Sequence, residues 1–331
     1  LKIMKVELII ILGLATISLA LFSTYFSNIQ ESEFQNFMET YSVNYKDTTE
    51  YEFRLKAFKA NLDKIQELAD RNPLARFGVN KFADRTPEEF ESMLNYRRSE
   101  NYKDPCIITK MNRSTNPVTL EDIPKNVDWR SLMGEIQDQG KCGGCWAFST
   151  AAVTEGRYAL SKGLDTVQTR FSPQQLIDCN TKNLGCRGGL EALAFDWLQS
   201  NDFCFAEDYP YKAKKSKCQK ECTTGVEVKT CTKISVNDNE QAVIELQNGP
   251  VDVAIDSTQV MLYEGGIMTS CIYSGLNHAV TLVGYNSDDN GQATVTFRNS
   301  WGGDWGEEGH FRLAYEDHLC GWDEDAHTIT V

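Results

Sequence analysis

The hydrophobic positions of the chain follow a helical period in its first part and a strand-like period in its last part. Apolar residues recur every three or four positions from Glu31 to Ala69, from Cys145 to Leu160 and from Gly189 to Ser200, which predicts helices there. After Thr232, short apolar runs alternate with Gly, Asn and Asp, which predicts strands and turns. The expected strands are Val251 to Ile255, Ala279 to Tyr285, Thr294 to Arg298 and His310 to Ala314. A helical half followed by a β half predicts an α+β protein whose two subdomains meet at a cleft.

Local signals mark two short helices and one connection. Thr86 and Ser172 are each followed by a proline and then by Glu or Gln, the order expected for a cap and first turn of a helix. The stretch from Phe77 to Asp84 is expected to be extended. The polar stretch from Tyr96 to Glu121 contains two prolines, which predicts a flexible linker where a protease can cut.

The first residues have the composition of a secretion signal. The segment from Leu8 to Phe26 carries no charge, and its apolar block is followed by small residues. This predicts a signal peptide over residues 1–22, cleaved near Ala20 or Ser23, rather than an uncleaved membrane anchor.

The acidic residues are concentrated in the second part of the chain. Residues 1–122 hold 16 Lys and Arg against 18 Asp and Glu, whereas residues 123–331 hold 17 against 29. Because this charge repels phosphates, we expect no nucleic-acid partner. We also expect no stable membrane insertion after signal cleavage. The acidic composition fits an acidic working compartment. Eleven cysteines, nine of them between Cys142 and Cys271, are typical of an oxidising compartment.

The Cys142-Gly-Gly-Cys145 motif has three readings: a redox dithiol, half of a zinc site, or a nucleophile beside a disulfide-bonded cysteine. No second such motif accompanies it, and no strand leads into it as a redox fold would require. A glycine-rich turn containing Gln139 instead leads into a helix that starts at Cys145. The helix dipole there should favour the thiolate of Cys145.

A thiolate of this kind needs an imidazole partner, and the chain has four histidines. His278 begins an apolar strand-like run, so a rigid element could hold it. Asn299 follows another predicted strand, and its side-chain oxygen could orient the imidazole while Trp301 shields that hydrogen bond from water. Each residue taken alone is also consistent with an ordinary core position.

Four motifs in fixed order resemble the papain family of cysteine peptidases: QGKCGGCWAFS, LGCRGG, LNHAVTLVGY and RNSWGGDWG. The resemblance covers Ile123 to Val331. Two further motifs resemble the pro-region of the cathepsin L branch. Their residues are Glu50, Arg54, Phe58, Asn61 and Ile65 in the first, and Gly78, Asn80, Phe82 and Asp84 in the second.

The resemblance implies a papain-like fold, with a helical left subdomain, a β-barrel-like right subdomain and the active-site cleft between them. It assigns residues 23–122 to an inhibitory helical pro-region and residues 123–331 to the peptidase domain. It makes Cys145 the nucleophile, His278 the general base and acid, Asn299 the orienting residue and Gln139 an oxyanion donor. The implied activity is a thiol-dependent endopeptidase, made as a zymogen and activated by removal of the pro-region at acidic pH.

The resemblance also implies disulfides and a substrate cleft. The implied disulfides are Cys142–Cys186, Cys179–Cys218 and Cys271–Cys320. At least one of the three other cysteines after Ile123 should stay unpaired within the mature chain, and the pairing of Cys106, Cys204, Cys222 and Cys231 stays open. The implied substrate-binding residues are Gly188 and Gly189, which pair with an extended peptide, Leu190, Ala254, Leu276 and Ala279, which line a pocket, and Trp301. Asp325 could form the floor of that pocket and accept a basic side chain, although Asp323-Glu324-Asp325 is more simply a solvated acidic loop.

Some residues depart from the family pattern, and the sequence is also consistent with two other functions. Ala69 stands where the pro-region motif usually ends in Asn, so inhibition could be looser. No adjacent His-His pair is present, which favours endopeptidase action in an open cleft. The rivals are a catalytically inactive binding or storage module and a thiol-disulfide oxidoreductase that uses Cys142 and Cys145. We expect protein or peptide substrates, no cofactor or metal, a monomer, and a lysosomal, vacuolar or extracellular location.

Overall fold

A computed structural model describes residues 28–96, 102–109, 120–122, 124–166, 169–219, 222 and 225–331. The predicted signal peptide, residues 1–22, lies outside this part of the chain. The helices are α1 (residues 28–40), α2 (Thr48–Arg71), α3 (Pro87–Glu91), α4 (Cys145–Ser161), α5 (Pro173–Cys179), α6 (Glu191–Leu198) and α7 (Asn239–Leu246). None of the helices in the described ranges is both long and apolar enough to cross a membrane.

The strands lie mainly in the second half. They are β1 (Ala75–Phe77), β2 (Ile107–Thr109), β3 (Asn126–Asp128), β4 (Phe203–Cys204), β5 (Gly225–Val226), β6 (Thr230–Ile234), β7 (Val251–Ile255), β8 (Tyr263–Met268), β9 (His278–Asp289), β10 (Gln292–Arg298), β11 (His310–Ala314) and β12 (Ala326–Thr330). The four strands expected from the sequence are all present, as β7, β9, β10 and β11, and the other eight strands of the described residues are additional.

One sheet dominates the described residues, with the order β1-β8-β11-β10-β9-β7-β12-β6-β2, and β3 pairs with β9. The neighbours are antiparallel except β8 with β11 and β2 with β6. Helix α4 packs against β9. Because β9 begins at His278 and α4 begins at Cys145, this packing brings the starts of the two elements to the same cleft.

The short helices form where the caps were expected. The Thr86 hydroxyl accepts the Glu89 N–H, and the Glu89 carboxylate accepts the Thr86 N–H, a reciprocal capping box for α3. The Ser172 hydroxyl caps α5 by accepting the Gln175 N–H. These local interactions explain why four-residue signals predicted both starts correctly.

Two expectations about the pro-region are corrected. The stretch from Phe77 to Asp84 is a strand only at its first residue, because the Asn80 side chain and carbonyl accept the N–H groups of Phe82 and Ala83 and turn the chain. The linker from Tyr96 to Glu121 is not flexible throughout, because Ile107–Thr109 pairs with β6 as strand β2. The helical stretch from Glu31 to Ala69 consists of α1 and α2, separated by a turn.

The pro-region shares its core with the β half of the molecule. Phe34, Phe37 and Phe58 of α1 and α2 belong to the same buried cluster as Trp301 and Trp305. A second cluster lies around α4, α5 and α6 and includes Trp146, Phe171 and Phe195. The cleft lies where these two clusters meet.

Candidate active site

Cys145 is the first residue of α4 and has no exposed surface. All eleven cysteines lie in the described residues, and Cys145 is the free one among them. Burial raises the pKa of its thiol to about 12, although hydrogen bonds from the N–H groups of Ala279 and Trp146 act in the opposite direction. In the closed cleft, burial therefore opposes the thiolate that the position of Cys145 at a helix N-terminus favours.

His278 is held by one side-chain hydrogen bond and one aromatic ring. Its Nε2 lies 2.8 Å from Asn299 Oδ1, so Nε2–H donates and Nδ1 is the basic nitrogen. The ring stacks on Trp301 with centroids 4.7 Å apart. Burial lowers the pKa of His278 to about 4, against the effect of the Asn299 hydrogen bond. Its Nδ1 has no hydrogen-bond partner among the described residues and remains available for a proton.

The sheet register connects Cys145 to the strand that begins at His278. Strands β7 and β9 pair Ile255 with His278 and Ala254 with Ala279. Ala254, Ala279 and Cys145 belong to one buried cluster, and the N–H of Ala279 reaches the sulfur. The residue next to His278 in the chain therefore contacts the nucleophile candidate.

Gln139 is fully buried and its amide group is fixed at both ends. Its Nε2 donates to the Cys142 carbonyl at 3.0 Å and to the Met93 carbonyl at 2.9 Å, and its Oε1 accepts from the Ser300 hydroxyl at 2.7 Å. Met93 lies in the segment that the sequence analysis assigned to the pro-region. A carbonyl of the pro-region thus lies at the donor that the sequence assigned to the oxyanion.

Pro-region backbone also runs over the glycine wall of the cleft. Tyr96 forms a parallel bridge with Gly189, and its N–H donates to the Asn277 carbonyl at 3.0 Å. A Cβ on Gly188 would lie 2.2 Å from the Asn95 carbonyl oxygen, so this close approach requires glycine. The two glycines therefore lie against the backbone of Asn95 and Tyr96.

The Tyr96 side chain fills the predicted pocket. Its ring shares a buried cluster with Leu190, Ala254 and Ala279, and Leu276 packs against that cluster. The hydroxyl of Tyr96 hydrogen-bonds Asp325 at the end of this space. The pocket residues named from the sequence are thus brought together, with Asp325 at the floor.

The acidic loop reading of Asp325 is wrong. Asp325 has an exposed fraction of 2% and Asp323 of 3%. Asp325 accepts a 2.8 Å hydrogen bond from Lys233, which itself is only 7% exposed. A buried carboxylate needs such a partner, because an unpaired charge would be strongly destabilising there.

Trp301 is covered by the pro-region as well. Phe82 and Phe90 meet its ring edge-on, with centroids 5.5 Å and 5.2 Å away, and Trp305 lies at 4.8 Å on another side. Trp301 has no exposed surface. Its ring stacks on His278, and the shielding of the His278–Asn299 hydrogen bond from water stays a prediction.

Comparison with known proteins identifies the chain's relatives. The model of the papain family of cysteine proteases matches residues 123–330, and that of the cathepsin propeptide inhibitor domain matches residues 34–90. The chain belongs to the papain family of cysteine proteases. A viral cathepsin from Adoxophyes honmai nucleopolyhedrovirus is 34% identical over 87% of each chain. A cysteine proteinase from Trypanosoma brucei brucei is 35% identical over 92% of this chain and 68% of its own.

Solved precursors have the same fold. Digestive procathepsin L 3 from the Tenebrio molitor larval midgut superposes with a TM-score of 0.78, at 31% identity, over 91% of this chain and 99% of its own. The recombinant stem bromelain precursor gives a TM-score of 0.80 at 30% identity, with the same coverage. The chain is therefore a cysteine peptidase with a helical propeptide, as the sequence motifs indicated.

This papain-family peptidase contains all three disulfides that the resemblance implied. Two more are present, Cys204–Cys222 and Cys106–Cys231. Cys231 thus has its partner in the linker and none within the mature chain, in agreement with the odd cysteine count. Because Cys142 is bonded to Cys186, it is not available to form a redox pair with Cys145.

Sequence reasoning missed the polar network behind Asp325 in this peptidase. Lys233 also donates to Asp104 at 2.9 Å, and Asp104 Oδ2 lies 2.9 Å from His327 Nε2. The other His327 nitrogen lies 3.6 Å from Asp252. Burial favours neutral His327, but Asp325, Asp104 and Asp252 outweigh it and raise its pKa to about 9. In the sequence, the one indication of this network was the cysteine at position 106 of the linker, whose partner Cys231 lies close to Lys233.

Proposed function

We propose that this papain-family peptidase is the zymogen of a secreted thiol-dependent endopeptidase, with Cys145 as nucleophile and His278 as its base. In this proposal residues 1–22 are the signal peptide, 23–122 the pro-region and 123–331 the peptidase domain. The observation that carries it is the free Cys145 thiol at the start of α4, in contact with Ala279, next to a histidine that Asn299 holds with Nδ1 free. A binding module would not need this arrangement.

The chemistry requires the cleft to be open to water and substrate. Hydration then removes the burial that raises the pKa of Cys145 and lowers that of His278, so the thiol proton can pass to Nδ1. The thiolate attacks the peptide carbonyl carbon, and the Gln139 amide and Cys145 N–H hold the oxyanion. Each such donor contributes about 3 kcal/mol to transition-state stabilisation.

The acyl-enzyme then forms and is hydrolysed. His278 gives its proton to the leaving amine as the C–N bond breaks, which leaves a thioester on Cys145. His278 next takes a proton from water, the hydroxide adds to the thioester, and collapse releases the carboxylic acid and restores the thiol. Asn299 keeps the ring oriented in both steps.

Inhibition is assigned to pro-region backbone that occupies the cleft. The Met93 carbonyl takes the Gln139 donor, Asn95 and Tyr96 cover the glycine wall, and the Tyr96 ring fills the pocket. The pro-region is docked elsewhere by β1 pairing with β8 and by Lys81, which binds Asp138 at 2.7 Å and Asp304 at 2.9 Å.

Acid is expected to release the pro-region, and His278 supplies a physical reason. Burial lowers its pKa to about 4 in the closed state, so the closed state disfavours a charged imidazole, and mild acid favours an open state in which the ring is hydrated. Glu89 acts in the same direction at lower pH: burial opposes its ionisation, but Arg54 and the Thr86 N–H lower its pKa, and this stabilisation is lost when Glu89 is protonated.

The test uses the precursor and one variant. At about pH 4.5 with thiol, wild type should lose its pro-region and hydrolyse a Leu-Arg or Phe-Arg peptide amide, whereas Cys145→Ala should do neither. Exposed Ser161→Ala serves as a matched control and should behave as wild type. No activity in a trimmed, folded wild type would favour the binding module, and full activity of uncut precursor at neutral pH would refute inhibition by the pro-region. A lysosomal, vacuolar or extracellular location is consistent with activation by acid.

A further inference from the structure

One segment of the linker is fastened to the peptidase domain by three independent interactions. The segment comprises Tyr102–Thr109. Cys106 forms a disulfide with Cys231, 125 residues later, and both residues are buried. Ile107–Thr109 pairs in parallel with β6, and Asp104 binds Lys233. The rest of the pro-region described above is held without any disulfide.

The fastening lies away from the inhibitory contacts. The contacts that cover the cleft come from Ala75 to Tyr96, at β8, Gln139 and the glycine wall. The segment Tyr102–Thr109 lies instead at the opposite end of the sheet, where β2 is the strand outside β6. The disulfide and the strand pairing that attach the segment are therefore distant from the contacts at β8 and Gln139.

The segment nevertheless reaches the substrate pocket from behind. The Tyr102 ring packs against the cluster of Leu190, Ala254 and Ala279. Asp104 and Asp325 share the ammonium group of Lys233, at 2.9 Å and 2.8 Å. Tyr102 thus forms part of the pocket wall. Asp104 competes with Asp325 for the positive charge of Lys233 and so reduces the neutralisation of the pocket floor.

We propose that Tyr102–Thr109 remains on the mature enzyme, bonded through Cys106–Cys231, and that its Asp104 keeps the pocket floor negative. This rests on the proposed function insofar as the pocket binds the side chain two residues before the cleaved bond. Cutting the linker on either side of the segment leaves its disulfide intact, so the mature enzyme consists of two disulfide-bonded chains.

The charge count at the floor gives the direction of the effect. Two cations, Lys233 and His327, face three carboxylates, Asp104, Asp252 and Asp325. Asp104 makes this cluster more negative by one unit charge, while burial raises the pKa of Asp252 and disfavours its charged form. Departure of Tyr96 removes the hydroxyl that Asp325 binds in the precursor, which leaves a carboxylate directed at the pocket. A basic substrate side chain supplies positive charge to the pocket floor and donates a hydrogen bond to the Asp325 carboxylate.

The first experiment tests retention and does not depend on the enzyme's own activity. The precursor is processed by itself or, if it does not process, by added pepsin in acid. Free thiols are then alkylated, and denaturing mass spectrometry is run with and without reduction. In wild type we expect a peptide containing Cys106 to be attached to the peptidase chain and to be released by reduction. In the Cys106→Ser, Cys231→Ser double variant, the corresponding peptide should be unattached before reduction. Alkylated Cys106, or a peptidase chain without this peptide before reduction, would overturn the proposal.

The second experiment tests the effect on specificity. In Asp104→Asn, the ratio of kcat/KM for Arg over Leu two residues before the cleaved bond should fall by roughly tenfold, the effect of one charge in a partly buried network. Exposed Glu227→Gln removes the same charge elsewhere and should leave the ratio as in wild type. An equal ratio in Asp104→Asn and wild type would refute the role of Asp104. Complete inactivity of wild type would instead refute the proposed function, while the mass measurement still decides retention.

Discussion

The Arg54–Glu89 ion pair provides a quantitative test of how the pro-region is held over the cleft. Arg54 Nη1 and Nη2 donate to the two Glu89 carboxylate oxygens at 2.5 Å and 2.8 Å, and Nη1 also reaches the Asp84 carbonyl at 3.1 Å. The pair ties α2 to α3, and α3 precedes the segment that covers the cleft. Replacing Arg54 by Gln should therefore loosen the cover and leave the peptidase domain unchanged.

The magnitude follows from the exposure of the pair. The side chains are 12% and 33% exposed, so the pair is neither buried nor fully solvated. Two hydrogen bonds between charged groups contribute about 1.5–3 kcal/mol each in a buried site, and partial solvation reduces their sum to about 2 kcal/mol. A change of about 2 kcal/mol increases the population of the open state roughly 30-fold.

Cys145 reports that population directly, because it is the free thiol and is fully buried in the closed precursor. We would measure its alkylation by iodoacetamide at neutral pH, where the rate follows the open fraction if closing is faster than reaction. Arg54→Gln should react roughly 30 times faster than wild type. Lys64→Gln breaks an exposed ion pair on the same helix and should change the rate little. Equal rates in the two variants would refute the reasoning.

Four further outcomes can be measured. His278 in the precursor should stay neutral from about pH 8 to 5, and an imidazole NMR titration with a midpoint near 6.5 would contradict its burial. Asn299→Ala should lower kcat of the activated enzyme roughly 10- to 100-fold with a smaller change in KM, since the ring loses its orienting acceptor. Asn61→Ala removes two 2.8 Å hydrogen bonds to backbone carbonyls and should destabilise the precursor by about 2 kcal/mol. The Tm of the precursor should fall, whereas the Tm of the mature enzyme should not change. Tyr96→Phe deprives Asp325 of a hydroxyl and should speed alkylation of the precursor roughly tenfold, whereas an unchanged rate would show that this hydroxyl does not contribute to closure.

The parts of the fold that could be predicted are those determined by neighbouring residues. The caps of α3 and α5 depend on Thr86 and Ser172 and on residues three positions later, so a short motif contains the whole interaction. Strands β7 and β11 are short apolar runs bounded by turn residues, and their limits agree with the sequence. The site motifs likewise follow local elements, because Cys145 and His278 are the first residues of α4 and β9, and Asn299 directly follows β10.

The parts that could not be predicted depend on contacts between distant residues. Asp325 lies in an acidic run, and only the register of β12 beside β6 and β7 places it next to Lys233. The pairing of Cys106 with Cys231 follows from β2 lying beside β6, which no local pattern specifies. The burial that opposes the Cys145 thiolate is a property of the covered cleft, whereas the position of Cys145 at a helix N-terminus is a property of its own segment.

The burial of Asp325 connects inhibition with specificity. A carboxylate at the end of an apolar pocket has to be compensated in every state of the protein, because its desolvation would otherwise cost several kcal/mol. In the precursor Lys233 and the Tyr96 hydroxyl provide that compensation. After Tyr96 leaves, one of these two donors is missing, so water or a substrate side chain has to replace it. The same carboxylate that helps to hold the pro-region closed therefore favours a donor in the substrate once the cleft is open.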